Sequence, residues 1–302
     1  MRIRRSLIDL DDLTPRELRY IFERTEQFER TPPGPLLQGL GCVNMFFEES
    51  TRTFTSFNLA ESRLGAAVIN LAPKNLSLAT KGETLEDTAL TLGALGISII
   101  VVRHHQPGFP QRIALAFDGH VVNAGDGVHA HPTQALLDIY TLREEFGPLK
   151  GRTVGIVGDV LHSRVAHSTM RGLQRLGAAV VLIGPECFLP HDYAGAGISV
   201  ERDFDAILPR LDAIVLLRIQ RERFVEMPIS DEEYIAGYRL DERRLARVRN
   251  ETIVMHPGPY NRGMELDDSV LKFAGWRYAR QVHHGVGVRM AVLDFLVNPP
   301  AK

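Results

Sequence analysis

Four arginines follow short apolar runs of the kind that make buried strands, and each has other anion-binding groups nearby. The run 43–47 leads through Glu48 to Ser50-Thr51-Arg52-Thr53, and the run 98–102 leads to Arg103-His104-His105. The run 120–123 continues through Gly125-Asp126-Gly127 to His131-Pro132-Thr133-Gln134. Farther on, Arg164 follows 153–157, Arg218-Ile219-Gln220 follows 213–217, and His256-Pro257-Gly258-Pro259 follows 252–255. Ser50–Thr53 also reads as the start of a helix. Unpaired backbone N–H groups there point outward and the helix dipole favours negative charge. Three hydroxyls and a guanidinium add side-chain donors, so a phosphate or carboxylate fits. The plainer alternative is that Ser50 or Thr51 only caps the helix. A lone arginine at a strand end is ordinary surface chemistry, as is a lone histidine at a helix start. Four arginines at four strand ends define a cationic cleft. With 35 Lys and Arg against 37 Asp and Glu, the chain as a whole carries a net charge of −2. That asymmetry points to a small polyanionic ligand.

Other chemistries lack their residues. There is no GxxxxGK[ST], and Gly155-Ile156-Val157-Gly158-Asp159 has the spacing of neither GxGxxG nor a phosphate loop. There is no GxSxG, no HExxH and no clustered carboxylate set, so neither a metal nor another cofactor is expected. His104-His105 and His283-His284 are adjacent pairs without metal-ligand spacing. Cys42 and Cys187 have no CxxC partner, which argues against a zinc site or disulfide framework. Hydrophobic residues make up 44% and charged residues 24%, values that exclude a disordered chain. Without a basic excess, nucleic acid is not an expected partner. The longest apolar runs fall far short of the ~20 residues that span a bilayer. The N-terminal stretch MRIRRSLIDLDDL is basic without an apolar core, unlike a secretory signal. These features predict a soluble, cytoplasmic protein.

The elements that must position these groups alternate along the chain. Thr14-Pro15-Arg16-Glu17 reads as a capping box with proline at the first helical position. Strands are predicted over 43–47, 67–71, 98–102 and 120–123, with helices over 53–64, 84–95, 111–117 and 131–146. Gly147-Pro148-Leu149-Lys150-Gly151 reads as a boundary. Beyond it come strands over 153–157, 180–183, 213–217 and 252–255 and helices over 163–176, 230–236, 241–248 and 286–297. Such alternation argues parallel sheets covered on both faces. At about 150 residues per domain, 302 residues make two domains. The expected architecture is α/β: two doubly wound parallel-sheet domains with the active site in the cleft between them, beyond the strands' carboxyl ends. The predicted boundaries are 1–146, completed by the C-terminal helix 286–302, and 147–285.

In this order the motifs resemble the catalytic chains of the aspartate/ornithine carbamoyltransferase family. Ser50-Thr51-Arg52-Thr53, Lys81-Gly82-Glu83-Thr84, His131-Pro132-Thr133-Gln134, Arg218-Ile219-Gln220 and His256-Pro257-Gly258-Pro259 carry the likeness over nearly the whole length. The second and last are similar to the aspartate enzymes, whereas an ornithine enzyme would be expected to show His-Cys-Leu-Pro. The resemblance implies transfer of a carbamoyl group from carbamoyl phosphate to L-aspartate in pyrimidine synthesis, with no cofactor. It implies that Ser50, Thr51, Arg52 and Thr53 grip the phosphate. Thr53, Arg103 and His131 polarise the carbamoyl oxygen, Gln134 lies near the amide, and Gly258 and Pro259 (the family's cis-proline) complete the carbamoyl phosphate site. Arg52, Thr53, Arg103, His131 and Gln134 form the implied catalytic set. Arg164, Arg218 and Gln220 hold the aspartate carboxylates, joined by Lys81, which arrives with Ser77 from the neighbouring subunit of a homotrimer. Glu48 pairs with Arg164 and Arg223 when the domains close.

Two positions depart from the family pattern. Phe54 stands where arginine is common, and Ala130 where glutamine is frequent. Phe54 is expected past the anion site, altering packing or pairing without loss of binding, and Ala130 is expected to weaken a supporting contact. Three other readings remain: a carbamoyltransferase for another amine, a weakly active subunit assembled with dihydroorotase, and a plain organic-phosphate binder. A larger assembly with dihydroorotase or a regulatory chain also stays open.

Overall fold

The structure is a computed structural model that describes residues 5–72, 82–190 and 197–300. By its internal packing the chain divides into two units, Met1–Leu137 with Val282–Lys302, and Asp138–Gln281. Both divisions fall inside helices, Pro132–Phe146 and Tyr278–Val297.

The first unit is built on four parallel strands, β1 (Gly41–Phe46), β2 (Ala67–Leu71), β3 (Ile97–His104) and β4 (His120–Asp126), in the order β2-β1-β3-β4. Burial follows position in the sheet. Ile99, Ile100, Val101 and Val102 of central β3 are fully buried, while edge strand β2 is largely exposed. A strand covered on both faces reads as a continuous apolar run, which is why β3 was legible. Each such side chain contributes about 1.5–3 kcal/mol by burial. The structure extends β3 through Arg103 and His104 and β4 through Gly125 and Asp126, beyond the apolar runs that announced them. These polar residues continue the ladder because Arg103 pairs with Phe46 and His104 with Asp126.

The second unit holds five parallel strands, β5 (Thr153–Val157), β6 (Ala179–Ile183), β7 (Ile198–Glu201), β8 (Ala213–Leu216) and β9 (Ile253–Met255), ordered β7-β6-β5-β8-β9. Sequence patterning misses β7. Its four residues lie at the sheet edge and none is buried, so no apolar run marks them. The final helix begins at Tyr278, eight residues before its apolar stretch. Among the described residues no helix is long and apolar enough to cross a membrane.

Candidate active site

In the first unit, three neighbouring strands deliver the predicted groups to one end of the sheet. Glu48 and the Ser50–Thr53 segment follow β1, Arg103 is near the end of β3, and His131 follows β4. Register aligns them: Phe46 lies opposite Arg103, and the Phe47 N–H donates to the Arg103 carbonyl at 2.9 Å. Glu48 Oε2 sits 3.2 Å from Arg103 Nε.

The segment opens the helix Thr51–Arg63. Apolar Phe57, Ala60 and Leu64 anchor that helix at helical spacing, and it ends at Gly65, whose φ of +80° favours glycine. Ser50 holds the N-cap position, but its side chain makes no cap hydrogen bond. Thr14, Thr84 and Ser163, by contrast, each accept the expected backbone N–H. The plain capping alternative therefore does not account for the Ser50 hydroxyl. Thr51 is exposed and Thr53 is buried within the first turn. A pocket of about 480 Å³ lies here, lined by Phe46, Glu48, Glu49, Ser50, Thr51 and Phe54 among others. Phe54 packs edge-to-face on Phe46, with ring centroids 5.2 Å apart. It thus forms part of the wall that Ser50 and Thr51 share, closer to the candidate site than its place along the helix suggested.

His131 and Gln134 are both buried at the start of the helix Pro132–Phe146. The Gln134 N–H donates to the His131 carbonyl at 3.1 Å. Ala130, just before them, is also buried. The neighbouring His104 has a structural environment. Its Nδ1 accepts the Gln106 N–H at 2.9 Å and its ring stacks on Phe109. Burial, reinforced by nearby His105, pushes its pKa down to about 4, so it is neutral at pH 7. Cys42 lies buried in β1, where burial pushes the thiol's pKa up, and both cysteines are free.

In the second unit the groups again follow adjacent strands, β5, β8 and β9. Arg164 is the buried first residue of the helix Arg164–Arg175. Arg218, Gln220 and Arg223 lie after β8 in a segment held by polar side chains. The Gln220 amide donates to the His162 carbonyl at 2.8 Å, its Oε1 accepts from Arg223 Nε at 2.6 Å, and its backbone N–H donates to Asp159 at 3.3 Å. Asp159, fully buried, also binds His162 Nδ1 at 2.8 Å. Arg218 is paired with Glu222 through two hydrogen bonds, Nη1 to Oε2 being 3.0 Å. That guanidinium holds the Glu222 carboxyl below its usual pKa, and Glu222 raises that of Arg218. After β9, Gly258 donates its N–H to His256 Nδ1 at 2.8 Å, and the Gly258–Pro259 peptide is cis.

Ser77 and Lys81 lie outside the described residues. Sequence reasoning missed Asp126, Asp159 and Glu222. The Arg-x-x-x-Glu spacing of 218 and 222 was a usable signal for the last; nothing local marks the other two as buried.

Two parallel-sheet α/β units with arginines, histidines and hydroxyls at the ends of neighbouring strands define a class of two-domain α/β proteins. Comparison with known proteins sharpens this. Residues 5–144 match the family model for the aspartate/ornithine carbamoyltransferase carbamoyl-P binding domain, and residues 150–296 match its Asp/Orn binding domain. The chain belongs to the aspartate/ornithine carbamoyltransferase family. It is 51% identical over 268 residues to the aspartate carbamoyltransferase catalytic subunit of Salinispora arenicola, covering 87% of each chain. It is 45% identical over 307 residues to that of Granulibacter bethesdensis, covering 99% of this chain and 97% of the other. Its structure is similar to Trypanosoma cruzi aspartate transcarbamoylase in complex with N-(phosphonacetyl)-L-aspartic acid, at TM-score 0.87 and 30% identity, covering 96% and 95% of the two chains. The catalytic subunit of the M. jannaschii enzyme matches at TM-score 0.84 and 31% identity over 97% of both.

Proposed function

We propose that this chain transfers the carbamoyl group of carbamoyl phosphate to the amine of L-aspartate, giving N-carbamoyl-L-aspartate and phosphate. In this reading it works in the cytoplasm as a homotrimer, in pyrimidine synthesis. The observation that carries the reading is that Ser50–Thr53, Arg103 and His131 stand at the same ends of the neighbouring strands β1, β3 and β4, with the Ser50 hydroxyl not used for capping.

Ser50, Thr51, Arg52 and Thr53 receive the phosphate at the start of their helix, where backbone N–H groups and the dipole favour an anion. Gly258 and Pro259 flank the carbamoyl end, and Gln134 meets its amide. Arg164, Arg218 and Gln220 hold the two carboxylates of aspartate. The amine nitrogen attacks the carbamoyl carbon, a C–N bond forms, and the carbonyl oxygen takes up negative charge. Thr53, Arg103 and His131 donate to that oxygen, so their preset dipoles lower the barrier. The C–O bond to phosphate then breaks, the electron pair leaves with the phosphate, and the amine proton passes to it. Much of the remaining acceleration comes from holding two mutually repelling anions in place. Ser77 and Lys81 come from the neighbouring subunit, and Glu48 pairs with Arg164 and Arg223 as the site closes. Paired arginines suit a dicarboxylate; ornithine would need an acidic partner for its second amine.

The test is colorimetric detection of carbamoyl-aspartate from the purified chain, with and without dihydroorotase and with ornithine in place of aspartate. Activity with aspartate and the chain alone supports the reading; activity only with ornithine, or none under any condition, overturns it. Sharing of the site is tested by complementation. Inactive Arg52→Ala and Lys81→Ala chains should regain partial activity when reassembled together, because some interfaces then join an intact loop to an intact phosphate site. Mixtures as inactive as either parent refute sharing.

A further inference from the structure

Asp126 has no part in the chemistry above, yet its fully buried carboxylate meets four donors. Oδ1 accepts from Asn123 Nδ2 at 2.8 Å and from the Ala130 N–H at 3.1 Å. Oδ2 accepts from the Gly108 N–H at 2.9 Å and lies 3.0 Å from His129 Nδ1. The backbone repeats the pattern. The Asp126 N–H donates to the Ala130 carbonyl at 3.1 Å, and the His129 N–H donates to the Asp126 carbonyl at 2.9 Å. Residues 127–130 are thereby closed into a turn whose last member is bonded to Asp126 through both its N–H and its C=O. The next residue is His131.

The same carboxylate ties that turn to the loop after β3. Gly108 belongs to this loop, and the Gly127 N–H donates to the His104 carbonyl at 2.9 Å. Contact is close: a Cβ on Gly127 would lie 2.7 Å from Pro107, and its φ of +51° independently favours glycine. Only an acceptor-only group suits four converging N–H donors. An asparagine of the same size would turn its amide NH₂ toward one pair of them. Such a group costs free energy when buried unless its bonds are made, so its placement is tightly defined.

We infer that Asp126 is a positioning residue for His131: it locks the preceding turn to the β3 loop and so fixes where the imidazole stands. This rests on the reading that His131 acts on the carbamoyl oxygen. Misplacement by about 1 Å can cost ~10²-fold in rate. The Ala130 side chain matters little here, because the anchor is its backbone.

The test uses the full chain with Asp126→Asn, His131→Ala and the double variant, measuring kcat, both KM values and Tm. Asp126→Asn should lower kcat about 10- to 100-fold while leaving each KM within about threefold. On the His131→Ala background the same change should cost less than about threefold, since residues acting through one another are not additive. A loss that persists in full on that background overturns the inference, as does a lowered Tm with unchanged kcat. If Asp126→Asn does not fold, His129→Ala serves, because that side chain is 41% exposed and supplies one of the four donors. It should lower kcat about threefold, as loss of one hydrogen bond would, and not on the His131→Ala background; an unchanged or fully additive kcat overturns the inference. If His131→Ala itself keeps wild-type kcat, the reading of His131 fails and takes the positioning role with it. If His131→Ala is impaired and Asp126→Asn is not, only the positioning role fails.

Discussion

The two units present their candidate groups in different ways. In the first, Ser50 is a helix N-cap, Arg103 is a strand residue and His131 directly precedes a helix, so the backbone of regular elements holds all three. In the second, Arg164 likewise opens a helix, but Arg218, Gln220 and Arg223 stand in the connection after β8, Arg223 at the end of the single turn Arg221–Arg223, held mainly by side chains (Glu222, Asp159 and one another) and by the His162 carbonyl. Carboxyl groups show the same contrast. Glu61, on the helix that carries Ser50–Thr53, is fully buried, and burial pushes its pKa up to about 7 against the pull of Asn44 Nδ2 at 2.7 Å. Glu222 is exposed and drawn below its usual value by Arg218. A rigid backbone frame suits charge that develops in a transition state. Side-chain pairing suits a ligand carboxylate that must enter and leave, because exposed ion pairs are individually weak.

The sharpest way to break this contrast is kinetic. Arg103→Ala and His131→Ala should each lower kcat by about 10²–10³, the usual loss for one donor to a developing oxyanion. If both changed only KM, the rigid site would be a binding site and the contrast would dissolve. Arg218→Ala should act on the other parameter. Its expected effect is a rise in aspartate KM of about 30- to 100-fold, in the range for removing one partner of a charge pair, with carbamoyl phosphate KM nearly unchanged. Equal loss for both ligands would count against Arg218 as the aspartate contact.

The buried acid predicts a pH effect on stability. Glu61 has a folded pKa of about 7, above its ordinary value of 4.5, so the folded state favours its protonated form. The associated stability is complete below about 4.5 and is lost as pH rises through about 7, amounting to about 3 kcal/mol at 1.36 kcal/mol per pKa unit. Calorimetry of Glu61→Gln and wild type at pH 5 and pH 8 isolates it. The variant should gain on wild type at pH 8, and a difference that does not change with pH would refute the buried acid. The smallest effect concerns caps. Thr14→Ala removes a complete capping box and should cost about 1 kcal/mol. Ser50→Ala should cost under about 0.5 kcal/mol, since no cap bond is lost, yet weaken carbamoyl phosphate binding. Equal losses in denaturant unfolding would return Ser50 to a capping role.

Apolar runs and start signals were legible because they are local. β2 and β7 are both edge strands without a fully buried residue. The apolar run 67–71 after Gly65 still marked β2, whereas the shorter, more polar Ile198–Glu201 left no trace. Arg103 and His104 belong to β3 through pairing with strands far away in sequence, so apolarity alone ended that strand too early. Asp126 was visible only as part of Gly125-Asp126-Gly127. Its four donors come from residues 108, 123, 129 and 130, and the first of these lies in a different loop.

By itself the sequence determined the alternation of strand and helix, the two-unit α/β plan and the set of strand ends that carry arginine, because periodicity, capping and composition act over a few residues. Tertiary structure decided which strand ends are neighbours, that the Ser50 hydroxyl is not taken by its own helix, that Glu222 holds Arg218, and that Glu61 and Asp126 lie out of water. Those outcomes depend on sheet order and burial, which arise only when segments distant in the chain pack together.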